Sequence, residues 1–190
     1  SYGFGQPSDA FVLPCRRRLH TAPCSACRKP PDRALEMPSH EEVRLSPFSV
    51  DQMFSMVADI EKYPEFVPGC AALRIIDREF DKGVETINAE MLVSFGALRE
   101  IYTSKVTLDK KKSVIAACHV DGPFDNLDTK WRFVPIELGS EVHFFIDFKF
   151  RSRVLTKASS LVFDAMARKT TDAFAARAEN LYGGLHHAQQ

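Results

Sequence analysis

Apolar and polar side chains alternate along most of the chain between residues 71 and 150. A period of two residues is typical of β-strands that bury one face. Only short turns separate the alternating segments, so we expect antiparallel strands joined in a meander. The predicted strands are 71–80, 83–95, 98–108, 112–120, 127–136 and 141–150.

Two of these strands show which side chains face inward. We expect one apolar row on each, and the polar residues between them should face solvent. The rows are Val142, Phe144, Ile146, Phe148 and Phe150 in the last strand, and Ile87, Ala89, Met91, Val93 and Phe95 in the second. Rows this rich in large side chains need an apolar partner.

Helical periodicity at residues 153–182 supplies that partner. A helix of this length spans about 45 Å. Its predicted apolar arc consists of Val154, Leu155, Ala158, Val162, Ala165, Met166, Ala173 and Ala176, widened by Phe163, Phe174 and Leu181. Lys157, Ser160, Asp164, Arg168 and Thr171 lie opposite. We therefore predict an α+β fold in which a curved antiparallel sheet wraps around one long C-terminal helix.

The segment before the alternating strands carries shorter elements. A strand is expected at 41–48, followed by a helix that Ser49 caps and that runs to about Ile60. Pro64 suits the first turn of another short helix, which Pro68 and Gly69 end. The folded domain is predicted to cover 41–184, and the tail 185–190 should fray.

Residues 1–40 have a different composition from the rest. They hold six basic and three acidic side chains and little periodicity, and their Arg-rich part is typical of a mitochondrial transit peptide. A disordered tail or a tether to a partner are the alternatives. Cys15, Cys24 and Cys27, with His20, could bind zinc, although one Cys-x-x-Cys pair is weak evidence and we expect no metal.

The totals restrict the function. Lys plus Arg and Asp plus Glu are equal at 25 each, so no overall charge favours nucleic acid, and we expect no direct DNA binding. The domain has no glycine-rich phosphate loop, no Gly-x-Ser-x-Gly and no His-rich metal pattern. Cys118 and His119 are adjacent in a strand, so their side chains face opposite ways. Glu90 and His143 should face solvent. We expect no catalytic activity.

The apolar side chains could form a solid core or line a cavity for a hydrophobic ligand, and periodicity does not separate these alternatives. The candidates are Met91, Val93, Phe95, Trp131, Phe133, Phe144, Ile146, Phe148, Val162 and Met166. Lys169 falls within the predicted apolar arc. It would either extend its ammonium group to solvent or meet a polar ligand group at a cavity mouth.

Three segments of the chain resemble a known family. They are MFSMVADIEKYPEFVPGC, VTLDKKKSVIAACHVDGPFDNLDTKWRF and HFFIDFKFRSRVL. The resemblance is to the coenzyme Q-binding proteins of the START-like, polyketide-cyclase superfamily, in their alphaproteobacterial and mitochondrial form. It covers roughly 41–184 and implies the helix-grip fold. It also implies a non-catalytic protein that binds ubiquinone, or a related polyisoprenoid, in a tunnel on the matrix side of the mitochondrial inner membrane.

The same resemblance implies that Tyr63, Phe66, Val67 and Pro68 form a lid over the tunnel. Many family members carry Trp after the proline, whereas this chain has Pro68-Gly69-Cys70, as in bacterial relatives described as ribosome-associating toxins. An alternative function is therefore an accessory subunit of a respiratory complex or a mitochondrial ribosome. An enzymatic function would rest only on cyclase and hydrolase relatives in the superfamily.

Overall fold

A computed structural model describes residues 39–95, 98–152 and 163–186. The predicted extension 1–40, with its cysteines, lies outside this part except for Ser39 and His40, which begin the first strand. In chain order the elements are β1 (Ser39–Ser46), α1 (Val50–Ala58), a 3-10 turn (Ile60–Lys62), α2 (Tyr63–Phe66), β2 (Cys70–Asp81), β3 (Val84–Phe95), β4 (Leu98–Asp109), β5 (Val114–Asp121), β6 (Phe124–Ile136), β7 (Gly139–Phe150) and α3 (Phe163–His186).

The strands form one seven-stranded antiparallel sheet in the order β1-β7-β6-β5-β4-β3-β2. The predicted meander from β2 to β7 is confirmed, because each strand pairs with the next one in sequence. Strand β1 pairs with β7 rather than with its neighbour in sequence, so β1 and β2 are the two edges. Strand β1 begins at Ser39, two residues earlier than predicted.

The predicted caps also hold. Ser49 Oγ accepts a hydrogen bond from the Gln52 N–H at 3.3 Å, and Gln52 Oε1 accepts one from the Ser49 N–H at 2.9 Å. This reciprocal pair satisfies two N–H groups that would otherwise lack partners at the start of α1. The helix ends at Ala58 instead of Ile60, because the chain tightens there into the 3-10 turn. Gly69, at φ 82°, takes the left-handed turn after α2.

The concave face of the sheet is apolar, as the alternation predicts. Ile87 and Ala89 in β3 are buried, and so are Val142 and Phe144 in β7. Helix α1 contributes Met53, Phe54, Met56 and Val57 to the same core. Glu90 lies on the other face of β3, where it forms an ion pair with Arg74 at 3.0 Å.

The predicted face of the C-terminal helix is only partly correct: Phe163 and Phe174 are buried as predicted, but Thr171, predicted to lie opposite, is buried too. Within the described part of α3, the buried side chains are Phe163, Ala167, Thr171, Phe174 and Ala178, whereas Ala165 and Ala176 are exposed. Alanine forms helix well at buried and exposed positions alike, so the alanines that dominated the predicted arc carry little information on its direction. The first part of that arc, residues 154–162, lies outside the described residues. The helix also continues to His186, through the predicted domain end.

Candidate functional site

One cavity lies inside the grip, beneath the segment that joins α1 to β2. Its volume is about 100 Å³, and strands β2 to β6 form its walls, with Ile60 and Tyr63 above them. We call it the inner chamber. Most of its lining is apolar, but Tyr63, Tyr102, Ser104 and Thr129 bring side-chain hydroxyl groups to it.

Two of those hydroxyl groups already have partners. Tyr63 donates to the Val57 carbonyl at 2.6 Å, and Tyr102 donates to Met91 Sδ at 3.2 Å. Burial raises the pKa of both tyrosines above its ordinary value of 10, so both phenols stay protonated at neutral pH. The inner chamber is therefore an uncharged, weakly polar environment.

A second cavity of about 160 Å³ lies between β1 and α3. We call it the outer chamber. Its floor is apolar and consists of Met53, Val142, Phe144, Phe174 and Ala178, together with Trp131. Its rim is charged, with Glu42, Arg44 and Glu179.

Trp131 lies between these chambers. It sits on the inward row of β6, paired with Ile115 in β5 and with Phe144 in β7. Its side chain is buried, and its ring centroid lies 4.4 Å from that of Phe144 and 4.8 Å from that of Phe174. The alternation of β6 therefore places the indole beside α3.

The segment predicted as a lid packs on α3 through aromatic edges. Tyr63 and Phe66 both meet Phe174 edge-on, at centroid distances of 5.2 Å and 5.1 Å. The guanidinium group of Arg177 lies 5.3 Å from the centre of the Phe66 ring and forms an ion pair with Glu65 at 3.1 Å. We call these contacts the aromatic seam.

Helix α3 also meets β1, through polar groups that we call the polar seam. Thr171 donates to Glu42 at 2.8 Å, and Arg44 forms ion pairs with Glu42 and with Asp172. Burial alone would raise the pKa of Glu42, but hydrogen bonds from Thr171, Arg44 and His40 outweigh it and lower that pKa. Glu42 is therefore an anion that helix and strand share.

Only some of the predicted site residues reach a chamber. Tyr63 and Met91 line the inner one, Phe144 lines the outer one and Trp131 lines both. Among the described residues, Phe66, Val67, Pro68, Val93, Phe133, Ile146, Phe148, Met166 and Lys169 line neither chamber. Lys169 is exposed, so its predicted place within an apolar arc is wrong. Val162 and the side chain of Phe95 lie outside the described residues.

The sequence interpretation missed Tyr102, Ser104 and Thr129. All three lie on the inward rows of β4 and β6, so strand parity contained the signal. The lid itself exposes no large apolar side chain, because Tyr63, Phe66 and Val67 are half-buried. Leu45, Phe80 and Leu138 are much more exposed, at 74%, 76% and 85%.

The groups that could do chemistry are dispersed. Cys118 is exposed and lies on the opposite face of β5 from His119, whose Nδ1 is buried without a hydrogen-bond partner. Burial raises the pKa of the Cys70 thiol to about 11, so it is not a nucleophile at neutral pH. Within residues 39–95, 98–152 and 163–186, no group of three or more His, Cys, Asp or Glu could hold a metal ion.

Helix α3 and the shorter helices are not membrane spans. In the described part of the chain, no helix combines the length and the apolar character needed to cross a bilayer.

Comparison with known proteins gives two kinds of relative. The ribosome association toxin RatA of Escherichia coli is 33% identical over 77% of this chain and 90% of its own length. The coenzyme Q-binding protein COQ10 homolog B, mitochondrial, of Xenopus laevis is 31% identical over 76% of this chain and 59% of its own length.

Solved structures agree with the fold. The 18 kDa protein CC1736 of Caulobacter crescentus matches with a TM-score of 0.66 and 35% identity, over 77% of this chain and 99% of that one. The Streptomyces ZhuI aromatase/cyclase matches with a TM-score of 0.64 at 18% identity, over 75% of this chain and 94% of that one, which shows a shared fold alone. Residues 46–175 match the family described as polyketide cyclase / dehydrase and lipid transport. The chain therefore belongs to that family, with its START-like, helix-grip fold.

Proposed function

We propose that this domain binds ubiquinone or a related polyisoprenoid lipid and carries it without converting it. The observation that supports this most directly is the pair of apolar chambers between the sheet, the lid and α3. The coenzyme Q-binding proteins among its relatives support the choice of a quinone. The dispersed titratable groups described above support a binding role over a catalytic one.

The size of the chambers adds a condition. At about 100 and 160 Å³, each is smaller than the roughly 300–1,000 Å³ of sites that bury a drug-sized ligand. An isoprenoid quinone therefore requires the packing around the chambers to open. The aromatic seam is the natural place, because parting it exposes ring faces without stranding a buried ion pair.

The mitochondrial matrix is the compartment that we propose, by analogy with the mitochondrial coenzyme Q-binding relatives. A carrier of this kind would exchange quinone at the surface of the inner membrane and could serve a respiratory complex.

The test begins with the natively purified protein. Its lipids are extracted into organic solvent and identified by mass spectrometry, and quinone near one equivalent is the expected result. Added short-chain ubiquinone should also quench the fluorescence of Trp131, the one tryptophan in the chain. A protein that carries no quinone and takes up none from solution would contradict the proposal.

Association with a ribosome is the second candidate function. The share of each relative that aligns with this chain favours it. That share is 99% and 90% for the RatA proteins of Rickettsia prowazekii and Escherichia coli, against 59% for the Xenopus coenzyme Q-binding relative. Co-sedimentation of the purified protein with ribosomal subunits tests it. A stoichiometric complex that persists in moderate salt would support the interaction function, whether or not quinone is bound.

A further inference from the structure

The two chambers meet at a single side chain. Strands β2 to β6, Ile60 and Tyr63 line the inner chamber, and β1, α1, β7 and α3 line the outer one together with Trp131. Among the residues that the structure describes, Trp131 is the only one that lines both. Its indole is thus the wall between them.

The packing around Trp131 explains why the wall is closed. Phe144 and Phe174 contact the indole from the side of the outer chamber, with centroid distances of 4.4 and 4.8 Å. The same residue also lines the inner chamber, together with Tyr63 and Tyr102. Two ring contacts therefore hold the indole in place, and it borders a cavity in each chamber.

The chambers also differ in what they could bind. Ser104 and Thr129 offer hydroxyl donors to the inner one, and the oxygens of a quinone ring are hydrogen-bond acceptors. The floor of the outer chamber offers methionine, valine and phenylalanine side chains, which suit a hydrocarbon chain. A ligand with an oxygenated ring and an apolar tail matches the two chambers in that order.

We propose that Trp131 determines how long a ligand this protein accepts, by separating a chamber for the head group from a chamber for the tail. A ligand that fits the inner chamber leaves the indole in place. A longer isoprenoid must displace it and join the chambers, at a cost in binding free energy. This inference rests on the proposed function, because it assigns parts of the same site to parts of the ligand.

The test compares tail lengths in three variants. Binding of ubiquinone analogues with zero, one, two and four isoprene units is measured by equilibrium dialysis, which does not depend on tryptophan fluorescence. Trp131→Ala should bind the four-unit analogue at least tenfold more tightly than the wild type, with little change for the analogue without a tail. Trp131→Phe should fall between them and provides a variant with a smaller packing loss.

Phe54→Ala is the matched control. Phe54 is also a buried ring of the core, but it lines neither chamber. The Phe54→Ala substitution should lower the stability of the fold without changing how quinone affinity depends on tail length. The inference is overturned if Trp131→Ala and the wild type show the same dependence, or if Phe54→Ala shifts it equally.

A measurement without quinone separates this inference from the proposed function. Crystals of the wild type under xenon gas should show two separate xenon positions, one on each side of Trp131, since apolar cavities bind xenon. Crystals of Trp131→Phe should show them connected or closer together. If no variant binds quinone, the proposed function fails, and the xenon positions still decide whether Trp131 is a partition. Continuous xenon density past the wild-type indole, or none in either chamber, would overturn it.

Discussion

Helix α3 meets the rest of the domain along two seams of opposite character. The polar seam joins it to the edge strand β1 through Glu42, Arg44 and Thr171. The aromatic seam joins it to the lid through Phe66 and Phe174. Hydrogen bonds and ion pairs are directional, so the polar seam fixes where the helix lies, whereas ring edges tolerate sliding. We infer that ligand entry parts the aromatic seam and leaves the polar seam intact.

Replacement of Phe174 tests the aromatic seam most severely. Its side chain is 3% exposed, and its ring contacts those of Tyr63, Phe66 and Trp131, so Phe174→Ala removes all three contacts at once. We expect the free energy of unfolding to fall by about 3–5 kcal/mol, as for other large-to-small changes at buried rings. Urea denaturation measures this.

The control for Phe174→Ala is Leu181→Ala on the same helix. Leu181 is 44% exposed, so its loss should change the free energy of unfolding by no more than about 0.5 kcal/mol. Similar losses in the two variants would mean that the lid does not depend on the Phe174 ring.

Replacement of Glu42 tests the polar seam. Glu42→Ala removes the carboxylate that accepts from both Thr171 and Arg44, and both donors lose a charged partner at a partly buried position. We expect a loss of about 1–3 kcal/mol in the free energy of unfolding. Glu41→Ala, an exposed carboxylate on the neighbouring position of β1, is the control and should cost much less. Equal costs would show that the seam contributes nothing beyond surface charge.

The polar seam should also make stability depend on pH. The folded state lowers the pKa of Glu42 below its ordinary value of 4.5. At a pH above 4.5 the ionised carboxylate therefore stabilises the fold, and this contribution is lost as the pH falls through the lower pKa of the folded state. His40, Arg44 and Asp172 face the same cluster. The stability difference between the wild type and Glu42→Gln should therefore shrink as the pH is lowered from 6 to 3. A constant difference would contradict the shifted pKa.

The contrast between the seams also shows what the sequence could predict. The sheet was predictable, because large apolar residues such as Ile87 and Phe144 alternate strictly with polar ones. The buried face of α3 was not, because alanines outnumber aromatic residues along it. The polar seam joins Glu42 to Thr171 across 129 residues of sequence, and no local pattern records such a pair.

The two chambers could not be predicted from the sequence, for a different reason. Trp131 and Phe133 are neighbours on one inward row, yet of the two only Trp131 lines the chambers described above. Periodicity states which face is buried. Whether the volume behind that face is filled depends on sheet curvature and on side chains from distant segments.

The smallest expected effect comes from Arg177, the one charged group of the aromatic seam that contacts the Phe66 ring. Arg177→Met keeps an apolar stem over that ring but removes the ion pair with Glu65 and the cation–ring contact. Both are partly exposed, so the loss should be about 0.5–1 kcal/mol and should diminish in high salt.

Amide hydrogen exchange measures which part of the fold Arg177→Met destabilises. The Val67 N–H donates to the Tyr63 carbonyl at 2.8 Å and closes α2, so its exchange reports opening of the lid. In Arg177→Met this amide should exchange faster, whereas the amides of β1 should not change. If the β1 amides accelerate equally, the two seams open together. The helix would then move as one body, and the lid would not be a separate route into the inner chamber.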